Sequence, residues 1–569
     1  MSILGRTSIV SAATLASRVL GFARDAATAA ILGAGPVADA LVAALSLPLL
    51  ARRLLAEGAF NLALIPALAR AEGEGAVGHA GARRLASATL LALGGLLAVL
   101  ALLGAVFMPQ LIRLLAPGFS PDGARADVAV LCGRVAVLYL PLAGWAAIYG
   151  GVANGVQRVL LPALAPLVAN LTILAVILVL LLRGLVASDQ AALAIAVATV
   201  AAGVSQWLLM LRAARGCAAA PDRHDLAGAL GAAVGWLRRR IAPVPAPAAD
   251  IGAGRAAWVA SLGVLRAASP ALLFAGLSQF RIIIAAALAS QVEGAVASLN
   301  YAQRLMDLPL GLVGASAGAV LVPLLARQGA QQGAQQGAQQ GAQQGAQQGA
   351  NAGPSTAALA ATNGVLGALA FALPAAVGLG VLAEPIVAVL FERGAFTAAD
   401  TSRTAALLMV LAVALPAQGL ERILSATAAT SGLVRSAERI ALGSLVVCLG
   451  VGAVGVALIG PLGAALGVTV SAAGSMAVFA GVLHRHRALA LHPRAVATVL
   501  GLAGASLVMG LVVAAAQAAW PAPPGVGVGA WGRVAALVGC GVLVYGACGL
   551  LVKRGVEARW PARAPAESD

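Results

Sequence analysis

Apolar runs of about twenty residues recur from one end of this chain to the other, separated by short polar connectors. A helix of that length crosses the hydrocarbon core of a bilayer. An unpaired backbone polar group in hydrocarbon costs several kcal/mol, so the runs are expected to be helices. Barrel strands would be shorter and would alternate with period two. Reading the runs between charged connectors places segments at 6–33, 37–69, 85–108, 128–153, 159–182, 189–211, 261–289, 295–325, 355–382, 402–429, 437–459, 462–483, 495–519 and 532–552. The expected fold class is therefore an all-α polytopic membrane protein of about fourteen transmembrane helices. Arg6 precedes no recognisable cleavage site, so the first segment is expected to be retained as a helix.

Composition sharpens this picture. The chain is 61% hydrophobic and only 10% charged, too little polar surface to coat a water-soluble globule. Alanine, leucine, valine and glycine dominate, which lets helices approach closely. The formal net charge of +16 would suggest nucleic acid in a soluble protein. Here the excess follows topology. With a cytoplasmic N-terminus, the inner connectors and tails hold Arg70, Arg83, Arg84, Arg158, Arg238, Arg239, Arg240, Arg435, Arg439, Arg485, Arg487, Arg494, Lys553 and Arg554. That is the positive-inside pattern, with both termini cytoplasmic in an inner membrane and anionic headgroups rather than nucleic acid as the basic surface's partner. The five cysteines form no CxxC, and His484, His486 and His492 lie in a basic connector suited to headgroups, so neither a metal nor a cofactor is expected.

The connectors suggest an organisation into an N-terminal lobe at 1–215, a connector at 216–256, a C-terminal lobe at 257–488, and two further helices with a tail at 489–569. Residues 216–256 are rich in Ala, Pro and Arg and are expected to hold a short surface helix around 226–240. The repeated QQGA tract within 328–353 has no apolar face to bury and is expected to be a disordered loop. IPALAR at 65–70 and VPLLAR at 322–327 form a faint internal repeat, as when two six-helix lobes are related by a pseudo-two-fold axis.

Charges inside the apolar segments need a partner, a watery cavity or a function. They gather on three helices. The first segment holds Arg18, Arg24 and Asp25 in SRVLGFARD, beside Ser17; the second holds Asp39 near its outer end, then Arg52, Arg53 and Glu57 in ARRLLAEGAF; the eighth holds Arg304 and Asp307 in YAQRLMDLPLG. Helix spacing sorts them. Arg53 and Glu57, four apart, are placed for a salt bridge, and Asp307 offsets Arg304 in part. Arg18 and Asp25 share a face, with Arg24 about 120° round the helix. Arg281 and Arg422 are harder to place, and Glu421 beside Arg422 reads as a local pair. The remaining surplus of guanidinium calls for an anion. Arginine's planar fork suits a diphosphate, although single arginines also snorkel to headgroups or lock helices together. No Walker loop, HExxH motif or placed catalytic pair is present, so an enzyme or an ATP-driven pump is not expected.

SRVLGFARD, GAGPVADALVAALSLP, ARRLLAEGAF, PALAR, APGF at 116–119, SQF at 278–280, YAQRLMDLPLG, EPIVAVLFERGAFTAADT at 384–401 and SGLVRSAERIA at 431–441 occur in order along nearly the whole chain. In these motifs the chain resembles the lipid II flippases of the MurJ (MviN) family, within the multidrug, oligosaccharidyl-lipid and polysaccharide exporters. The resemblance implies two six-helix lobes, two C-terminal helices forming a groove for a polyprenyl tail, and alternating access. It carries the diphosphate-binding role to Arg18, Arg24, Arg52 and Arg304, and supporting or gating roles to Ser17, Asp25, Asp39, Arg53 and Glu57. The chain departs from the pattern at Leu49, where the family usually has Asn; at Gln303, often acidic; and at Arg281 and Ala285 on the seventh helix, usually polar and acidic. Those last two departures argue against a sodium site.

The expected function is thus a monomeric flippase for lipid II, with membrane lipids as partners and cell-wall synthesis proteins as further candidates. The alternatives are an exporter of another polyprenyl-diphosphate saccharide, an exporter of an amphipathic cation, and a non-transporting scaffold. A cation exporter would want surplus carboxylates, and a scaffold would leave the arginines replaceable.

Overall fold

The computed structural model describes residues 3–56, 60–72, 75–241, 251–311, 356–490, 492–521, 523, 525 and 527–559. Glu57, the VPLLAR repeat and the QQGA tract lie outside the described residues. The chain divides into two compact units: residues 1–297 with 393–397, and residues 298–392 with 398–569.

The first unit holds α1 (Ile3–Leu32), α2 (Pro36–Ala51), a π-helical turn (Arg52–Ala56), α3 (Asn61–Ala71), α4 (Gly75–Val106), α5 (Met108–Leu115), α6 (Ala124–Ala136), α7 (Tyr139–Gly155), α8 (Leu160–Leu182), α9 (Asp189–Ala214), α10 (Arg223–Ile241), α11 (Ile251–Ala289) and the first turn of α12 (295–311). Prolines explain where the long apolar runs break. Pro48 lacks an N–H and its ring crowds the carbonyl one turn back, and the π turn begins one turn after it, at Arg52. The 128–153 run is likewise two helices, α6 and α7, which part at Val137 and Leu138, one turn before Pro141. Helices also run on into polar sequence that hydropathy does not see: α4 begins at Gly75 and α11 at Ile251, ahead of the expected 85 and 261. α10 realises the expected surface helix. Asp222 caps it by accepting from the Asp225 N–H at 2.8 Å, and Arg83 of α4 pairs with both Asp222 and Asp225.

The second unit holds the rest of α12, α13 (Thr356–Val381), α14 (Ala383–Phe391), α15 (Ala398–Thr430), α16 (Val434–Ile459), α17 (Pro461–Arg485), α18 (Pro493–Ala519) and α19 (Val528–Arg559). Its helices meet through small residues: Ala414 and Ala417 of α15 are buried with Ala472 of α17. Gly455 and Gly463 bring α16 and α17 so close that a methyl group at Gly463 would fall into the Gly455 backbone. Leu382, Met509, Val513 and Leu537 close a second cluster between α18, α19 and the end of α13. Arg533, near the start of α19, is buried and donates to the carbonyls of Trp520 at 2.8 Å and Gln517 at 2.9 Å, so it caps the C-terminal end of α18.

Among the described residues, ten helical stretches are long and apolar enough to cross a membrane. They coincide with the expected segments from 85–108 to 189–211 and from 355–382 to 532–552. The protein is an all-α, multi-pass membrane protein. The four segments that length and apolarity do not pick out, 6–33, 37–69, 261–289 and 295–325, all carry arginine within the span, and parts of 37–69 and 295–325 lie outside the described residues.

Candidate functional site

Arg24 lies at the centre of a network between α1 and α8. Its guanidinium donates through Nε at 3.0 Å and Nη2 at 2.6 Å to Asp25 Oδ1, and through Nη1 at 3.0 Å to Asn170 Oδ1. Asn170 uses its other end as well: Nδ2 donates to the Ser17 carbonyl at 3.1 Å. Ser17, Arg24 and Asn170 are all buried, and Asp25 is mostly so. Gly21 allows the approach, because a methyl group there would press on Asn170 Nδ2 at 3.1 Å. The Arg24–Asp25 pair forms although helical spacing sets Arg24 about 120° round from Arg18. Helical spacing sets where Cα–Cβ bonds point, but a guanidinium on its flexible stem reaches round to a neighbouring carboxylate.

Arg18, between one and two turns earlier, is exposed and takes no hydrogen bond or ion pair among the described residues. Its guanidinium is therefore unlike that of Arg24, which is already neutralised by Asp25. Arg52 and Arg53 sit half-buried in the π turn, whose wider winding re-aims side chains relative to an α-helix. The partner expected for Arg53, Glu57, lies outside the described residues.

Arg304 belongs to the second unit and is half-buried on α12. Beside it, Gln303 is buried and donates from Nε2 to Asp307 Oδ1 at 3.0 Å, so the amide serves as a donor to a carboxylate. Farther along, Glu421 is buried on α15 and accepts from Ser475 of α17 at 2.6 Å, while Arg422 next to it is exposed. Arg281 and Ala285 are both buried on α11.

Asp39 stands apart from the arginines, at the start of α2 and fully buried. Its Oδ2 accepts from the Gly294 N–H at 2.6 Å and its Oδ1 from the Ala297 N–H at 2.8 Å, so it caps the N-terminal end of α12 from a different helix. A helix N-terminus offers unpaired N–H groups and a positive dipole end, which is where a buried carboxylate is best accommodated. Arg125 adds an ion pair at 3.7 Å to Oδ2.

Sequence reasoning missed Asn170 and Arg125. A signal for the first was present: Asn170 is the one amide side chain in an otherwise apolar α8. Arg125 follows the APGF motif by a few residues and gave no periodic signal, because it begins a short helix after a loop.

These features define a polytopic helical membrane protein with the exporter fold. An inward-facing multidrug resistance MATE family transporter of the MOP superfamily superposes with a TM-score of 0.58 at 17% identity, covering 86% of this chain and 98% of that one. A solved lipid II flippase MurJ in an inward closed conformation superposes with a TM-score of 0.69 at 18% identity, covering 98% of this chain and all of that one. At such identities the structures establish the fold, and the sequence establishes the family. The chain belongs to the family described as lipid II flippase MurJ, whose profile matches residues 28–532. A probable lipid II flippase MurJ of Rhizobium meliloti (strain 1021) is 35% identical over 420 residues, 73% of this chain and 68% of that protein. The lipid II flippase MurJ of Burkholderia cenocepacia is 28% identical over 478 residues, 84% of this chain and 83% of that protein.

Proposed function

We propose that this chain flips lipid II, an undecaprenyl-diphosphate disaccharide-pentapeptide, from the cytoplasmic to the periplasmic leaflet of the inner membrane, supplying cell-wall synthesis. The observation that carries this is an exposed guanidinium, Arg18, beside the neutralised Arg24–Asp25–Asn170 network in a member of the lipid II flippase family. Arg18, Arg24, Arg52 and Arg304 hold the diphosphate, with Arg18 contributing unpaired charge and Arg24 contributing a fixed orientation. Ser17, Asp25, Asp39, Arg53 and Glu57 support these arginines or bias the inward and outward states. Both termini are cytoplasmic, the lobes are 1–215 and 257–488, and the protein works as a monomer. No bond is made or broken. The headgroup is held with similar strength in both states, since a large difference would trap it on one side.

Rescue of a bacterium depleted of its own lipid II flippase tests this reading. The parent chain is compared with Arg18→Ala, Arg52→Ala and Arg304→Ala at matched membrane expression. Rescue by the parent alone, with lipid II accumulating on the inner face in the variants, is the expected result. Equal rescue by all four removes these arginines from the mechanism. Failure of a well-expressed parent points to another polyprenyl-diphosphate saccharide.

A further inference from the structure

Arg125 is held in three ways. Its Cζ lies 4.7 Å from the centre of the Phe119 ring, Nη2 donates to the Gly118 carbonyl at 3.4 Å, and Nη1 stops 3.7 Å from Asp39 Oδ2. That last distance makes an ion pair but no hydrogen bond, and among the described residues the buried Nη1 has no hydrogen-bond partner. A buried N–H left unsatisfied beside a carboxylate is costly and calls for an explanation. Asp39 is meanwhile wholly buried, with an oxygen on each of two main-chain N–H groups at the start of α12.

Both facts follow if Asp39 has two alternative sets of donors. We propose that Arg125 is a positioning residue for opening of the contact between α2 and α12. When the N-terminal end of α12 withdraws, Nη1 closes onto Asp39 Oδ2 and takes the carboxylate over, so no buried charge is stranded. The Phe119 ring and the Gly118 carbonyl hold the guanidinium back until then. The loop that carries them is anchored on the end of α11: the Gly118 N–H donates to Ser290 Oγ at 2.8 Å, and a side chain at Gly118 would run into the Ser290 and Gln291 backbone. This hand-over rests on the alternating-access reading above. It gives the two members of one ion pair opposite effects, since Asp39 favours the closed contact and Arg125 favours the open one. A residue that merely braced the loop would favour the closed contact.

Val296 supplies the readout, being 1% exposed in the first turn of α12. In the purified full-length protein with its five cysteines replaced by alanine, Val296→Cys is labelled by a maleimide when that turn withdraws. Asp39→Asn is expected to raise the labelling rate. Arg125→Gln is expected to lower it about tenfold, and to have no effect once Asp39→Asn is present, because no anion remains to be taken over. Phe119→Leu changes no charge and frees the guanidinium, so it is expected to speed labelling in the parent and leave the Asp39→Asn form unchanged. Unchanged or faster labelling with Arg125→Gln, or equal effects of Arg125→Gln and Phe119→Leu with and without Asp39→Asn, overturns the hand-over. The rates need no lipid II. A chain that rescues growth but lacks this pattern loses the hand-over and keeps the cargo, and the converse loses the cargo.

Discussion

Asp39 and Arg18 are both charged residues on apolar helices of the first unit, and their surroundings are opposite. Asp39 is fully buried, with both oxygens taken by main-chain N–H groups and a guanidinium alongside. Arg18 is exposed and takes no partner among the described residues. Arg24, on the same helix as Arg18, is satisfied in the manner of Asp39, by Asp25 and Asn170. The contrast separates charges that the fold has locked, whose hydrogen-bonding capacity is used, from one that it leaves exposed, to which the proposed function assigns a ligand. Arg533 belongs with the locks, since two carbonyls at the end of α18 occupy it.

Substitutions ranked by expected cost test that division. Asp39→Ala strands two N–H groups and an ion-paired guanidinium, and is expected to destabilise the protein by about 3 kcal/mol, measured by thermal unfolding in detergent. Arg24→Ala leaves Asp25 and Asn170 without their donor and is expected to cost about 2 kcal/mol. Asn170→Ala is expected to cost about 1–2 kcal/mol and to weaken lipid II binding, because Arg24 loses one of its two holders. Arg18→Ala is the sharpest contrast: unfolding is expected to shift by less than about 0.5 kcal/mol while rescue of growth is lost. A large stability loss at Arg18, or none at Asp39, would break the division into locks and ligand sites.

The smallest effect lies in the connector. The N–H of Asp225, and after it the neighbouring Arg83, hold the Asp222 carboxyl below its ordinary value of 3.8. A depressed pKa contributes stability that is present above 3.8 and is lost as pH falls through the lower folded value. Hydrogen exchange in the first turn of α10 should therefore be flat with pH above that value, after correction for intrinsic rates, and lose protection below it. The Asp222→Asn form should lack this slope.

Much of the architecture was legible because its signals are local. Apolar run length places ten of the membrane segments independently of any neighbour, whereas the segments that carry Arg18, Arg24, Arg52 and Arg304 are interrupted by charge and are not picked out by length and apolarity. Local signals also set the limits. Pro48 and Pro141 were visible in the sequence, yet hydropathy averaged across both and merged α2 with α3 and α6 with α7. Spacing put Arg18 and Asp25 on one face but could not foresee the Arg24–Asp25 pair, because it follows Cα–Cβ directions and not the reach of a long side chain.

By itself, then, the sequence determined that this protein lives in the membrane as a bundle of helices, which family it resembles, and which charges interrupt its apolar segments. Only the tertiary structure decided which of those charges are satisfied. Asn170 meets Arg24 across 146 positions and Asp39 meets Gly294 across 255, and such partners depend on which helices become neighbours. Periodicity along one helix carries no information about the face of another, so the difference between a locked charge and an available one first exists when the helices pack.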